Sequence, residues 1–553
     1  MKLMGSRGKY YTVTDKSILS EGGEGVVFVD GKTALKVYHD RLTLKSPSMR
    51  DKLKRLAGFK HPVAIVPREI VSHKGNPVGF GADYFQHGKP LVSMQSNKMW
   101  HLYNVTYKGA LQVVMQMHDL VRAAHSANWL LVDPNEYNWL LDPNKFVLRA
   151  IDTDSWQNMG YKSSKTKIMP SIQDARMREV ATKAADWYAL AVVGFQFLTG
   201  IHPFRGRVDG YGPRDMLRRA KDGISVFHSG VQVPRSIRSA QNIPRGLRDW
   251  YRAVFEDGLR EPPPKQLDKI PALVKPSLRT SIGAEGVVSV EKIANLSGVR
   301  WFNALWYEKN GMLYHIQHNR RYDLRGVLPS MVAWQDDVPI FVAQEDDVYT
   351  FNGNNLIGAK PPLVREWFVA DGKLYALTVS TLAYAQVLMF AKPFVNLKQI
   401  ANISAHTFLQ GGVPFFHSLG RMIATVITKT GAFSVVLPKM LGMHIFSMDV
   451  CGPFLVVGYD NNGANWNIYI QDGNTQLKLL AEIEQAERDI SYAYISGALV
   501  CIPQDGVLRV YTRDGQVHSF KHKGVHTGLT LTVYDGKLLA RDGDEVFRIR
   551  MRK

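Results

Sequence analysis

The proline-rich stretch E-P-P-P-K-Q-L-D-K-I-P-A-L-V-K-P, Glu261 to Pro276, divides this chain into two parts with different hydrophobic periods. Proline removes backbone donors and favours extended conformations, so the stretch reads as a semi-rigid linker. Before it, apolar residues recur at helical spacing, and the run Trp187 to Leu198 is a core helix too short to span a bilayer. After it come short alternating runs bounded by Gly, Asp and Asn, the pattern of antiparallel all-β structure. The 553 residues also exceed what one hydrophobic core usually supports. The chain is therefore expected to be multidomain, with a first domain at 8–260, a linker at 261–280 and an all-β domain at 281–553.

Within the all-β part, candidate hairpins recur as M-L-Y-H-I, P-I-F-V-A with V-Y-T-F-N-G, K-L-Y-A-L-T-V, M-I-A-T-V-I with F-S-V-V-L, F-L-V-V-G-Y with N-I-Y-I-Q-D, A-L-V-C-I-P with L-R-V-Y-T-R-D-G, and K-L-L-A-R with V-F-R-I-R. Their starts lie about 38 residues apart on average, the length of a four-strand blade, which predicts a β-propeller of about seven blades. Six blades, or a pair of β-sandwiches with less regular spacing, are the alternatives. The final strand, near Val546 to Met551, is expected to share a blade with V-V-S-V-E-K-I from residue 287, which removes an exposed sheet edge. Trp301, Trp306, Trp334 and Trp367 read as blade packing rather than a ligand cage.

Chemistry concentrates in the first part. The segment I-L-S-E-G-G-E-G-V-V-F predicts a strand, a tight turn and a second strand, with Gly22, Gly23 and Gly25 leaving the backbone open to close approach. Taken alone, such a cluster reads as a plain hairpin. Eleven residues after Gly25, T-A-L-K-V-Y predicts another strand carrying Ala34 and Lys36. Farther on stand Asp133 and Asn138, five residues apart in V-D-P-N-E-Y-N-W-L-L, and Asp152 in A-I-D-T-D-S-W-Q. Asp-Pro-Asn by itself is an ordinary turn. The order of the whole set carries the information.

In that order, residues 8 to about 275 resemble the protein-kinase superfamily, and most closely a bacterial and phage kinase-like group with D-x-D-S-[F/W]-Q after the catalytic loop. The resemblance implies an α+β bilobal fold that binds ATP and Mg2+ and transfers phosphate to a protein Ser/Thr hydroxyl. It implies that Gly22, Gly23 and Gly25 cover the phosphates, that Val27 forms an apolar lid over the base, that Ala34 belongs to the cofactor site as the Ala of A-x-K, and that Lys36 neutralises the α- and β-phosphates. Asp133 would receive the substrate's proton, and Asn138 and Asp152 would hold metal. The long apolar helix resembles the central helix of the large lobe, with Asp186 bracing the catalytic loop. Departures are visible too. Leu131 and Val132 stand where His-Arg is usual, and M-P-S-I-Q-D at 169–174 is the nearest counterpart of A-P-E. No Glu lies between Asp40 and Glu69, so Asp51 is the expected ion-pair partner of Lys36. Asp154 reads as a strand-end turn residue or an added metal ligand. These departures leave open a pseudokinase scaffold and a small-molecule kinase.

The net charge of +20 is uneven, with 42 Lys and Arg against 25 Asp and Glu in residues 1–276. Such a field steers acidic proteins, nucleic acid or nucleotide. No Lys/Arg tract is interleaved with aromatics, so nucleic acid is not favoured; a protein substrate or partner, recruited through the propeller, is expected. The N-terminus lacks a signal peptide's apolar stretch, and no apolar run reaches 18 residues. Cys451 and Cys501 form no C-x-x-C, which predicts neither zinc nor disulfide. A cytoplasmic location, away from membranes, is the resulting expectation.

Overall fold

The structure is a computed structural model that describes residues 1–551 apart from 15–16, 22–23, 41–42, 159–167, 178–180, 213–214, 266–287, 303–304, 317–319, 344–345, 363, 371, 379, 391, 404–406, 411, 419–420, 429–430, 439, 441–442, 462–463, 473–475 and 485. Gly22 and Gly23 therefore lie outside the described residues, as does most of the proline-rich stretch. The chain forms two compact units, the first comprising Met1–Gln95, Val105–Val233 and Ile237–Lys275, the second Ser96–Asn104, Pro234–Ser236 and Pro276–Lys553.

The first unit begins with a seven-stranded antiparallel sheet in the spatial order Tyr10–Thr12, Lys2–Gly5, Glu69–His73, Asn76–Asp83, Thr33–Tyr38, Gly25–Asp30, Ile18–Glu21. One face buries Leu3, Tyr11, Val13, Ile18, Phe28, Leu35, Val71 and Val78. Each fully buried side chain of this size contributes about 1.5–3 kcal/mol. Two glycines bring neighbouring strands close. A Cβ at Gly25 would lie 2.3 Å from the Val37 carbonyl oxygen, and one at Gly79 would lie 1.9 Å from that of Lys36. Gly25 is thus required by its neighbouring strand, a local cause separate from any nucleotide.

Between the strands Thr33–Tyr38 and Glu69–His73 runs the helix Pro47–Ala57, with Pro at its start, where a missing N–H costs nothing. It buries Lys52, Leu53 and Leu56. Helices dominate from residue 107 onward. Tyr107–Ser126 is capped by Thr106, whose hydroxyl accepts from the Gly109 N–H. Lys183–Thr199 is capped in the same way by Thr182 and ends at Gly200 in the left-handed region, φ 79°. Every residue from Asp186 to Thr199 is buried, as an all-round apolar helix requires. No described helix is long and apolar enough to cross a membrane.

The second unit holds seven four-stranded antiparallel sheets among its described residues. Six are built from consecutive strands, starting with Arg300–Trp301, Trp306–Lys309, Met312–His315 and Arg321–Asp323. The seventh combines both ends of the region, because Val288–Asn295 pairs with Glu545–Met551, Val288 opposite Met551, beside Lys537–Asp542 and Thr530–Tyr534. Successive sheets share cores: Trp306 and Leu313 pack with Phe341, Ile340 with Leu374, Leu382 with Ile427, Met422 with Leu455, Phe454 with Leu499, and Val500 with Leu538. Arg541 of the seventh sheet lies 4.4 Å above the Trp301 ring of the first. Trp301, Trp306 and Trp367 are buried, and Trp334 packs 4.5 Å from Trp306.

Candidate active site

Lys36 sits in the strand Thr33–Tyr38, opposite Val27 on one neighbour and Phe80 on the other. Opposed and alternate residues share a sheet face, so Val27, Ala34, Lys36 and Tyr38 line one surface. The Lys36 ammonium lies 2.7 Å from Asp152 Oδ1, 2.7 Å from Asp154 Oδ2 and 3.1 Å from Glu24 Oε2. Burial alone would lower its pKa, but Asp154, Asp152 and Glu24 together outweigh burial and hold it above the ordinary lysine value. The lysine is a fixed cation.

Asp154 is the deepest of the three carboxylates. It is fully buried, and its Oδ2 also accepts from the Tyr38 hydroxyl at 2.7 Å. Its backbone carbonyl accepts from Lys52 Nζ at 2.7 Å. Burial lowers the Lys52 pKa to about 8 against the pull of Asp154 and Glu24. Asp51, by contrast, is exposed and faces Lys54 at 3.9 Å. The expected pairing of Asp51 with Lys36 is thereby corrected: residues 52, 53 and 56 face the core, and position 51 points outward. Glu24, Asp152 and Asp154 bring ligand-capable atoms within 4.8 Å of one another, the one such group among the described residues.

The loop carrying Asp133 follows the short strand Trp129–Leu130. Val132 adopts φ 69°, an uncommon conformation for a β-branched residue. Asp186 holds it there, its two carboxylate oxygens accepting from the Leu131 N–H at 2.8 Å and the Val132 N–H at 2.9 Å, with His125 Nε2 at 2.9 Å. Asp133 is buried, and its carboxylate accepts from Asn135 Nδ2 at 3.0 Å and from the Met169 N–H at 3.4 Å. Asn138 Nδ2 donates to the Asp133 carbonyl at 2.8 Å. That hydrogen bond commits the amide nitrogen to the loop.

A hairpin explains why Asn138 and Asp152 come together. Trp139–Asp142 pairs with Val147–Ala150, Trp139 opposite Ala150, and the Ile151 N–H donates to the Asn138 carbonyl at 2.9 Å. Asn138 and Asp152 thus flank its open end. Asp152 turns the chain through the left-handed region, φ 57° and ψ 30°. Downstream, Asp174 at the end of M-P-S-I-Q-D is buried and ion-paired with Arg260, whose guanidinium also lies 4.7 Å from the Tyr188 ring.

Lys36, Asp133, Asn138 and Asp152 therefore belong to one connected set of strand, loop and hairpin, while Asp51 does not join it. Sequence reasoning missed Glu24 and Lys52 and undervalued Asp154. Lys52 left one signal: it falls four residues before Leu56, on the apolar face of its helix. No protein-family model matches this sequence, and a search of curated proteins gives no significant match.

Proposed function

We propose that residues 8 to about 275 form a protein-kinase-like bilobal domain that transfers the γ-phosphoryl group of ATP to a Ser/Thr hydroxyl of a protein. The observation that carries this reading is the 2.7 Å contact of Lys36 with Asp152, 116 residues apart, beside the loop of Asp133 and Asn138. The ammonium offers a permanent positive charge for phosphate oxygens. Asp133, oriented by Asn135 and the Met169 N–H, is the group to accept the attacking hydroxyl's proton. Magnesium suits the oxygen donors present, the Asp152 carboxylate and the Asn138 amide oxygen, and the buried Asp154 Oδ1, close to Asp152, has no hydrogen-bond partner among the described residues. When bound, the metal supplies charge compensation to the phosphates.

The seven four-stranded sheets support a seven-bladed β-propeller, because their shared cores run from each sheet to the next and Arg541 over Trp301 joins last to first. In this reading the propeller recruits the protein substrate or partner. Incubating the full chain with γ-labelled ATP, magnesium and a mixed peptide library tests the assignment. The parent should label peptides, whereas Asp133→Ala should bind ATP yet transfer at a rate reduced at least about 100-fold. Undiminished transfer by Asp133→Ala would sink the role of Asp133. Nucleotide binding without transfer by the parent would instead favour a scaffold.

A further inference from the structure

We infer that Asp154 is the residue that positions Lys36 for the nucleotide's phosphates, replacing the carboxylate that the helix Pro47–Ala57 does not provide. The inference rests on the phosphoryl-transfer reading and adds to it a positioning residue and a reversal of charge. The helix sends a cation, Lys52, into the site, and the anion comes from the loop that also carries Asp152.

Three observations distinguish Asp154 from the other two carboxylates around Lys36. Its side chain is 1% exposed, against 18% for Asp152 and 31% for Glu24. One oxygen is held from two points of a single strand, by Lys36 Nζ and by the Tyr38 hydroxyl, each at 2.7 Å. Its own backbone is held from the helix by Lys52 Nζ. An arriving phosphate can displace Glu24, and Asp152 can turn to a metal, because solvent already reaches both. Asp154 stays with Lys36, since leaving would strip a buried carboxylate of its compensating charge and leave it only the Tyr38 hydroxyl. The pair therefore forms whenever the loop folds. Placing Asp152 and fixing Lys36 become one event, and no helix movement is needed to complete the site.

Equilibrium binding of Mg·ATP, Mg·ADP and adenosine to the full chain tests this. Asp154→Asn should weaken ATP and ADP about tenfold or more while leaving adenosine within about twofold, because only the phosphates depend on Lys36. Lys36→Met should show the same pattern. In the Lys36→Met background, Asp154→Asn should then have no further effect on ATP, the signature of two residues acting as one. Should Asp154→Asn melt below the assay temperature, Asp154→Asn combined with Lys52→Met removes both buried charges and carries the same comparison. Equal weakening of adenosine and ATP would show a merely structural role and overturn the inference. Unchanged ATP affinity, or losses that add across the two sites, would overturn it as well. A parent that binds no nucleotide overturns the phosphoryl-transfer reading and this inference with it, whereas a parent that binds ATP while Asp154→Asn matches it overturns this inference alone.

Discussion

At the scale of single residues, the site is an arrangement of buried charges whose balance can be read by titration. Lys52 is the sensitive one. Its pKa is pushed down to about 8 by burial, while in the unfolded chain it keeps the ordinary 10.5. Below pH 8 both states carry the proton and folding bears the full cost of the buried ammonium. Between about 8 and 10.5 the unfolded chain binds a proton that the folded chain has lost, so stability rises with pH across that window. Above it both forms are neutral and the effect ends. The gap corresponds to about 3 kcal/mol at most. Because tyrosines and other lysines titrate there too, the readout is a difference: urea unfolding of Lys52→Met and of the parent, compared at several pH values. The stability of Lys52→Met relative to the parent should be greatest below pH 8 and decline by pH 10.5. A pH-independent difference would mean that Lys52 titrates as an ordinary lysine.

At the scale of elements, close approach between strands decides where Lys36 stands. Its carbonyl oxygen would lie 1.9 Å from a Cβ at Gly79, on the neighbouring strand Asn76–Asp83. A backbone carbonyl in a sheet ladder cannot rotate away cheaply, so Gly79→Ala must push the two strands apart and carry Lys36 with them. A loss of at least about 2 kcal/mol in urea unfolding is expected, together with weaker ATP binding under the proposed phosphoryl-transfer function. A change under about 0.5 kcal/mol with unaltered binding would show that the sheet tolerates the displacement. The loop carrying Asp133 illustrates the opposite economy. There an unfavourable φ at Val132 is held by a helix N-terminal carboxylate, Asp186, which the apolar helix behind it keeps in place.

At the scale of the whole molecule, the second unit depends on its two ends meeting. Glu545–Met551 is an interior strand, flanked by Val288–Asn295 and Lys537–Asp542. Removing residues 545–553 deletes the buried Val546, Phe547 and Ile549, worth about 6 kcal/mol together, and leaves two strands with open edges. The thermal midpoint of the β-rich transition, followed by circular dichroism, should fall by about 12 °C or more. An unchanged midpoint would show that the shared sheet contributes nothing to stability.

Local pattern was enough to reveal much of this protein. Helical and alternating periods depend on neighbouring residues, so the apolar helix through Trp187 and the hairpins of the second unit were legible in order of sequence, while the pairing of its first and last strands followed from the need to leave no open sheet edge. The order of Lys36, Asp133, Asn138 and Asp152 was legible too, through the resemblance it carries, and the fold joins the strand, loop and hairpin that hold them. The identity of a partner across the fold was not. Asp51 carries the right charge on the right helix but faces solvent, whereas Asp154, a turn residue by its neighbours, is sealed beneath Lys36 and Tyr38. Gly25, which reads as room for a ligand, also makes room for the Val37 carbonyl. Which face of an element is buried, and against what, depends on segments more than 100 residues away; only the tertiary structure decides it, because burial is what turns a charge into an ion pair of fixed geometry.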